Sequence, residues 1–483
     1  MTRYITILEV SQKQAYIFGS NKVADNIINS AIIAKCLSPE YIKNVIECGY
    51  DEDKNLVYSG GGHTILEHPD KESARTLVMQ LTERIYRDYD GLEVFAKTIA
   101  YRNELSPRDN LKVLTSELEK KKSVRRSGFH HGSFGIEIID VNTRKPESLG
   151  ENSERIDVKN EEDIESKEFT PDGYAPAKQF EDLGMEKNRS NFIAVVHIDG
   201  NGMGKRVEEL YDRVDSQNWD AVKDGLRKFS NGIDADFKSA FKEMTEEVSK
   251  SLNSGSLEGK LNLGMNNGIP YFPVRRIITA GDDICFVTEG RIGIECARIF
   301  IEKLYGKSNC VDGKNYTACA GVAIVHQKYP FYKAYELAEK LCSSAKKFGA
   351  SVSPDDDGRN VCSIDWHIEF GEIKDSIDDI KKDYIAGDGG SLSNKPYVIK
   401  YDSAVCDRIK DERKYGAFAD NISKLQDTSN KIGIGKIKQL RSVMKKGATE
   451  TGNYMKFYKM NGRYSFDAIE MMDTFLAINE VGK

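Results

Sequence analysis

The sequence predicts an α+β fold, with two ferredoxin-like units of antiparallel sheet and helix followed by a helical region. Three observations predict it. Two apolar runs, Tyr4–Ser11 and Phe192–Asp199, lie over one another without a gap. Each is followed by a Gly-bearing hairpin with matching flanks, Val57–Leu66 and Ile277–Phe286. Each hairpin then leads through helix, strand and helix in the same order. A β-α-β-β-α-β series is a split βαβ unit, and a repeat at this scale governs the reading of every element inside it.

The elements follow in order. In the first copy, helical periodicity covers Lys71 to Arg87, β-rich residues cover Val94 to Tyr101, and a second helical pattern covers about Arg108 to Lys122. In the second copy the corresponding spans are Ile292 to Tyr305, Tyr316 to Val325 and Phe331 to Phe348. An antiparallel sheet carrying its helices on one face is a palm. Between the copies, roughly Asp140 to Arg189 is rich in Glu, Asp, Lys and Ser, as expected of a linker or surface loop. A second polar stretch, Ile385 to Asn394, precedes amphipathic patterns from Tyr397 onward, including Ile434 to Met444 and Ser465 to Ile478. The expected division is 1–140 first palm, 141–189 polar linker or insertion, 190–370 second palm, and 371–483 C-terminal helical domain.

Composition narrows the classes. A chain of 483 residues exceeds one core. With 30% charged residues and a net charge of −6 it is not a generally basic nucleic-acid binder. The nine Cys form no C-x-x-C pair, and Cys36, Cys285, Cys296 and Cys319 sit inside apolar patterns, which favours small buried hydrophobes over a zinc site. No basic-then-apolar leader and no membrane-length apolar run occur, so a cytoplasmic location without membrane association is expected.

The chemistry concentrates in the second copy. A β-rich run from Arg275 enters a turn at Gly281, presents Asp282 and Asp283, and leaves as a second apolar run. The earlier strand ends in Asp199, followed at once by Gly200, Asn201, Gly202, Met203, Gly204 and Lys205. Carboxylates from neighbouring strand ends hold divalent metals that clamp attacking and leaving oxygens. Backbone N–H groups of a Gly-rich loop opening a helix favour phosphate. Asp199, Asp282 and Asp283 are therefore the candidate metal ligands and catalytic residues. Gly200 to Gly204, Lys205, Gly281 and Lys346 are candidate nucleotide contacts, with Lys346 neutralising phosphates from the end of its helix. On the overlay Ser11 stands for Asp199, and Gly62 and His63 stand for Asp282 and Asp283. The first copy then lacks every metal carboxylate but keeps a Gly hairpin able to approach a ligand. His63 is a candidate for lining a nucleotide pocket. No His-Asp dipeptide occurs, and His130-His131 reads as a loop pair. Lys120 to Arg126 is the one basic run that could serve as a local nucleic-acid patch; equally, it is a basic helix end.

These residues resemble a known family, the large polymerase-cyclase subunit of type III CRISPR systems. Val10–Phe18, Tyr58–Gly62, Pro273–Asp283, Ala320–His326, Ala334–Cys342 and Ile364–His367 carry the resemblance. It implies Mg²⁺ (or Mn²⁺) on Asp199, Asp282 and Asp283, and synthesis of cyclic oligoadenylates from ATP by 3′–5′ linkage with release of pyrophosphate. It also implies one ATP at each palm, with Ser11, Gly60, Gly61 and Gly62 at the acceptor. Expected partners are ATP, CRISPR ribonucleoprotein subunits or an RNA activator, and a downstream effector that senses the cyclic product in antiviral defence. Ala280 departs from the family's first signature Gly. The HD nuclease and the zinc ribbon between the palms are absent, so the chain reads as a short form. Two other functions fit the same residues: a catalytically silent scaffold subunit of an RNA-guided complex, and a dinucleotide or mononucleotide cyclase. The residues leave the base open.

Overall fold

Period-two alternation and period-3.6 amphipathicity both become structure in this chain. The computed structural model describes residues 3–19, 23–46, 49–89, 91–124, 166–184, 191–213, 218–371, 376–426, 432–460, 462 and 464–478. The first sheet has four antiparallel strands in the order β2 (Leu56–Gly60), β3 (His63–His68), β1 (Tyr4–Ser11), β4 (Glu93–Ala100). The helix Lys71–Asp88 starts on Asp70, whose carboxylate accepts the Ser73 N–H. It buries Ala74, Leu77, Leu81 and Ile85, the i, i+3/i+4 stripe of a helix lying on a sheet. The helix Pro107–Ser123 is capped by Ser106, has Pro at its first position, and buries Leu111, Leu114 and Leu118.

The second sheet has six strands in the order β12 (Tyr397–Tyr401), β11 (Val361–Ile368), β10 (Ala318–His326), β5 (Phe192–Gly200), β9 (Asp283–Glu289), β8 (Val274–Ala280). All neighbours are antiparallel except β10 and β11. A two-strand ribbon, β6 (Met265–Asn266) with β7 (Ile269–Pro270), stands apart. The helices Gly293–Tyr305 and Phe331–Val352 cover the sheet. Gly321 on β10 permits the closest approach: a Cβ there would stand 2.0 Å from the Ala338 carbonyl oxygen and 2.3 Å from the Cys342 nitrogen.

The two palms share their cores. Ile5 and Ile7 of β1 cluster with Val196, Ile198 and Phe286 of the second sheet, and Leu8 and Val10 cluster with Val195 and Val287. The long helix Trp219–Ser254 lies against both palms. Its Trp219 indole N–H donates to Glu67 of β3 at 2.7 Å, and Arg3 pairs with the same carboxylate at 2.7 Å.

Three expectations change. The boundary at 370 cuts the second sheet, because β12 lies beyond it and pairs with β11. Tyr397–Tyr401 is an edge strand of only five residues, at the start of the stretch in which amphipathic patterns were expected. The stretch expected as a linker, 141–189, packs where it is described: Phe169, Phe180 and Leu183 are buried in the two cores, and Ala175 bridges to Tyr271. Residues 141–165 and 185–189 lie outside the described residues. The helix expected over Ser465 to Ile478 spans only Phe466–Met471, after which the Leu476 N–H donates to the Arg291 carbonyl at 2.9 Å. The C-terminal region is otherwise helical and closes over a Trp366–Tyr397–Phe418 ring cluster. Cys36, Cys285, Cys296, Cys319, Cys342 and Cys362 are buried free thiols, as their apolar surroundings implied. Among the described residues no helix is long and apolar enough to cross a membrane.

Candidate active site

The acidic residues converge because β5 and β9 pair in a register that sets Asp199 directly opposite Asp283. Opposed residues of an antiparallel ladder project to the same face. Asp282 occupies the two-residue turn between β8 and β9, with Gly281 at φ +67°, the backbone that a hairpin of this length takes at its first central position. The turn folds down onto the end of β5: the Gly200 N–H donates to the Asp282 carbonyl at 3.2 Å. Gly200 must be small here. A Cβ on it would lie 2.7 Å from Met203 Cε and 3.0 Å from Asp282 Cβ.

Lys346, in the last third of the helix Phe331–Val352, donates to Asp199 Oδ2 at 2.5 Å and to the Gly200 carbonyl at 2.9 Å. Burial alone would lower its ammonium; the Asp199 carboxylate outweighs burial and holds it up. Asp282 and Asp283 are each pushed up to about 7, first by burial and then by the charge of Asp199. Asp283 Oδ1 is buried without a hydrogen-bond partner among the described residues, although His197 Nδ1 lies 3.4 Å away. Burial lowers His197, so it offers Asp283 no countercharge. Among the described residues no three His, Cys, Asp or Glu side chains stand as a ready-made metal cluster. The donors nonetheless suit a hard divalent cation: oxygen only, mutually repelling, and one of them orphaned. The cation present in their place is Lys346.

The first palm faces this hairpin across a cavity of about 1110 Å³. Its own turn has Gly61 at φ +57° and Gly62 at φ +74°, the paired positive φ of a type I′ hairpin. Ser11, Gly60, Gly61 and Gly62 line one side; Gly281, Asp282 and Asp283 line the other. Tyr58 and His63 stack at 4.6 Å, and burial drives His63 down to about 4, so it is neutral. A second, more apolar cavity of about 720 Å³ opens beyond them, with Met203, Gly204, Phe229 and Asp282 in its wall.

Other expected contacts sit elsewhere. Asn201 is buried and ties the chain to β11, its amide donating to the Val361 carbonyl at 2.9 Å. Gly202, at φ +66°, lies beneath Arg359, whose Cδ would be 2.4 Å from an added Cβ. Lys205 pairs with Asp357 at 3.0 Å on the surface. In the basic run, Lys120 pairs with Glu117, Lys121 donates to the Ala96 carbonyl and Lys122 pairs with Glu9 and Glu119. Arg125, Arg126, His130 and His131 lie outside the described residues.

The register corrects the overlay of the two palms. Glu9, not Ser11, pairs with His63 as Asp199 pairs with Asp283. The Val10 N–H donates to Gly62 O at 2.9 Å, as the Gly200 N–H does to Asp282 O. Lys122 stands as far into the helix Pro107–Ser123 as Lys346 stands into Phe331–Val352, and it grips Glu9 at 2.9 Å as Lys346 grips Asp199. Glu9 is thus the counterpart of Asp199, and the first palm does retain one acid. Matching apolar runs could not reveal this, because alternation has period two and a slip of two residues leaves it unchanged. Lys13, whose ammonium reaches the Gly61 carbonyl, was also missed. Its position two residues past β1, where the second palm has its Gly-rich loop, is the signal that marks it.

Two split-βαβ sheets whose hairpin tips line one cavity, with carboxylates at one tip, define a two-palm protein. Residues 192–352 match the family model described as Cas10/Cmr2, second palm domain. Residues 192–352 are therefore Cas10-like by sequence, and the rest of the chain shares only a fold with solved structures. A Csm1-Csm4 cassette crystallised with pppApApA is similar at TM-score 0.52 and 13% identity, over 92% of this chain and 61% of that one. The cassette with cA4 gives TM-score 0.50 and 14% identity, over 91% and 62%. This chain therefore spans less than two thirds of the length of either of these two. No curated protein matches it by sequence.

Proposed function

We propose that the chain is a metal-dependent nucleotidyltransferase that joins ATP into cyclic oligoadenylate in the cavity between its palms. One observation carries the reading: the acidic hairpin tip of one palm and the glycine hairpin tip of the other face each other across a single cavity of about 1110 Å³. Ligand pockets usually run to about 300–1,000 Å³, and this one is at the large end of that range. Similar chains carry pppApApA and cA4. Asp199, Asp282 and Asp283 would hold Mg²⁺ or Mn²⁺, which when bound neutralises charge on the reacting phosphate. Lys346 is released from Asp199 toward the phosphates of the donor ATP. The acidic turn places the donor's α-phosphorus beside the acceptor's 3′-hydroxyl. The 3′-oxygen bonds to that phosphorus, the bond from phosphorus to the α,β-bridging oxygen breaks so that pyrophosphate leaves, and the hydroxyl proton passes to solvent. Such catalysis is chiefly positioning and charge neutralisation. The setting that fits is a cytoplasmic type III CRISPR complex with an RNA activator and an effector that reads the product.

The grip of Lys346 on Asp199, together with the lack of a ready-made metal cluster among the described residues, favours a second reading, a silent scaffold subunit. Incubation of the chain with each labelled NTP, Mg²⁺ or Mn²⁺ and candidate RNA activators, followed by mass spectrometry, separates the two. The expected result is adenylate product and pyrophosphate with ATP, lost by at least about 10³-fold in Asp282→Ala/Asp283→Ala. Absence of pyrophosphate from every NTP leaves the scaffold.

A further inference from the structure

We propose that the first palm holds the phosphate tail of its nucleotide with Lys13 and Lys122, two fixed ammonium groups standing where the acidic palm would use a divalent metal. The inference rests on the reading above that the cavity takes a nucleotide at each palm. It goes beyond that reading in assigning a metal-free subsite and the residues that form it.

The duplication makes the two palms internal controls for each other. In the acidic palm three carboxylates gather at the hairpin, and one of them is held by a helix-borne lysine. In the first palm the corrected register leaves Glu9 in the place of Asp199, held by Lys122 in the same manner. The other two acids are gone: Gly62 and His63 occupy their positions, and His63 is neutral. A lone carboxylate already paired to lysine cannot hold a divalent ion.

What replaces the lost acids is a cation. Gln12 turns the chain through a left-handed backbone at φ +51°, a conformation that non-glycine residues adopt at some cost and that recurs at binding sites. The turn delivers Lys13 to the glycine hairpin, where its ammonium donates to the Gly61 carbonyl. A Cβ on Gly62 would lie 2.9 Å from Ile33 Cγ2 and 3.1 Å from Lys13 Cε, so the missing side chain of Gly62 is space that Lys13 and Ile33 share. No carboxylate pairs with Lys13 at ion-pair distance among the described residues. Burial pushes its ammonium down, and the charge of Glu9 only partly restores it. Lys13, Lys122 and Glu9 all line the cavity. A cation half-withdrawn from water, with one carbonyl partner and cavity in front of it, is completed by an anion. Lys122 joins it by exchanging Glu9 for phosphate oxygen, the counterpart of the exchange proposed for Lys346. Lysine is a compact point charge with three donors, suited to a flexible polyphosphate.

The test is calorimetric titration of the full chain in EDTA with ATP and with inorganic tripolyphosphate. The expected result is one equivalent bound without metal, weakened at least tenfold by Lys13→Met or by Lys122→Met, and restored by Lys122→Arg. Circular dichroism checks that each variant is folded. The proposal is overturned if nothing binds in EDTA, or if folded Met variants bind as the parent does. Failure of the two readings is distinguishable. Tripolyphosphate binding without any nucleotide product sinks only the proposed synthesis. Product formation without metal-free binding sinks only this subsite.

Discussion

Replacing Asp283 with Asn should stabilise the metal-free protein while abolishing its metal response. Asp283 is raised from an ordinary 3.8 to about 7, by burial and then by the charge of Asp199. Carried fully into energy, that displacement is on the order of 4 kcal/mol against the ionised form. The side chain is 41% exposed, and solvent screening reduces the figure to about 1–2 kcal/mol. The sign follows from proton counting. Between 3.8 and about 7 the folded state binds more protons than the unfolded state, so this carboxyl costs stability increasingly as pH rises. The advantage of Asn over Asp should therefore be absent near pH 4 and complete above pH 7. Its amide can also donate toward His197 Nδ1, which now lies 3.4 Å from Asp283 Oδ1 without a hydrogen bond. Thermal unfolding at pH 8 in EDTA should show the variant melting about 1–2 °C higher. Adding Mg²⁺ or Mn²⁺ should raise the parent's melting temperature and leave the variant's unchanged. A variant that melts lower in EDTA, or that keeps the metal-induced rise, would refute the picture of crowded acids awaiting a cation.

Two further outcomes concern the scaffold. Gly321→Ala should destabilise by about 3 kcal/mol, because its Cβ would be driven into the helix backbone at Ala338 and Cys342. Gly204→Ala, with nothing within 4 Å, should be neutral, and urea unfolding of the pair makes the comparison. His68 is 2% exposed and lowered by burial to about 4. Its contribution to stability is complete above pH 6.5 and is lost as pH falls toward 4, on the order of 3 kcal/mol in all. Urea titrations at pH 7, 5.5 and 4.5 should show the gap between the parent and His68→Phe changing by this amount; a constant gap would mean that His68 is not buried neutral.

The hairpins, and with them the acids, were legible because Gly281 and Asp282 interrupt two β-rich runs at a point where only a tight turn fits. The duplication was legible for the same reason at Gly61 and Gly62. What alternation cannot encode is absolute register, and Glu9 was passed over for Ser11 on that account. Side-chain partners were also illegible. Lys346 was expected on phosphate, and nothing in the spacing of residues 199 and 346 shows that they meet. Asn201 and Gly202 looked like loop residues open to a ligand, whereas β11 and Arg359, far along the chain, cover them. The segment 166–184 carried too few apolar residues to register as packed, although Phe169, Phe180 and Leu183 each fill a core.

That both hairpins belong to one polypeptide, over a pair of cores containing residues of both sheets, has a kinetic consequence. Where two half-sites sit on separate molecules, the working site exists only as far as encounter and dissociation allow, and it vanishes on dilution. Here the halves are tethered and packed, so their mutual concentration is set by geometry rather than by the number of molecules in solution. Activity of such a site should scale linearly with protein down to the lowest amounts, with no lag and no threshold. A signal generated this way would be counted in single molecules switched on, not in pairs formed.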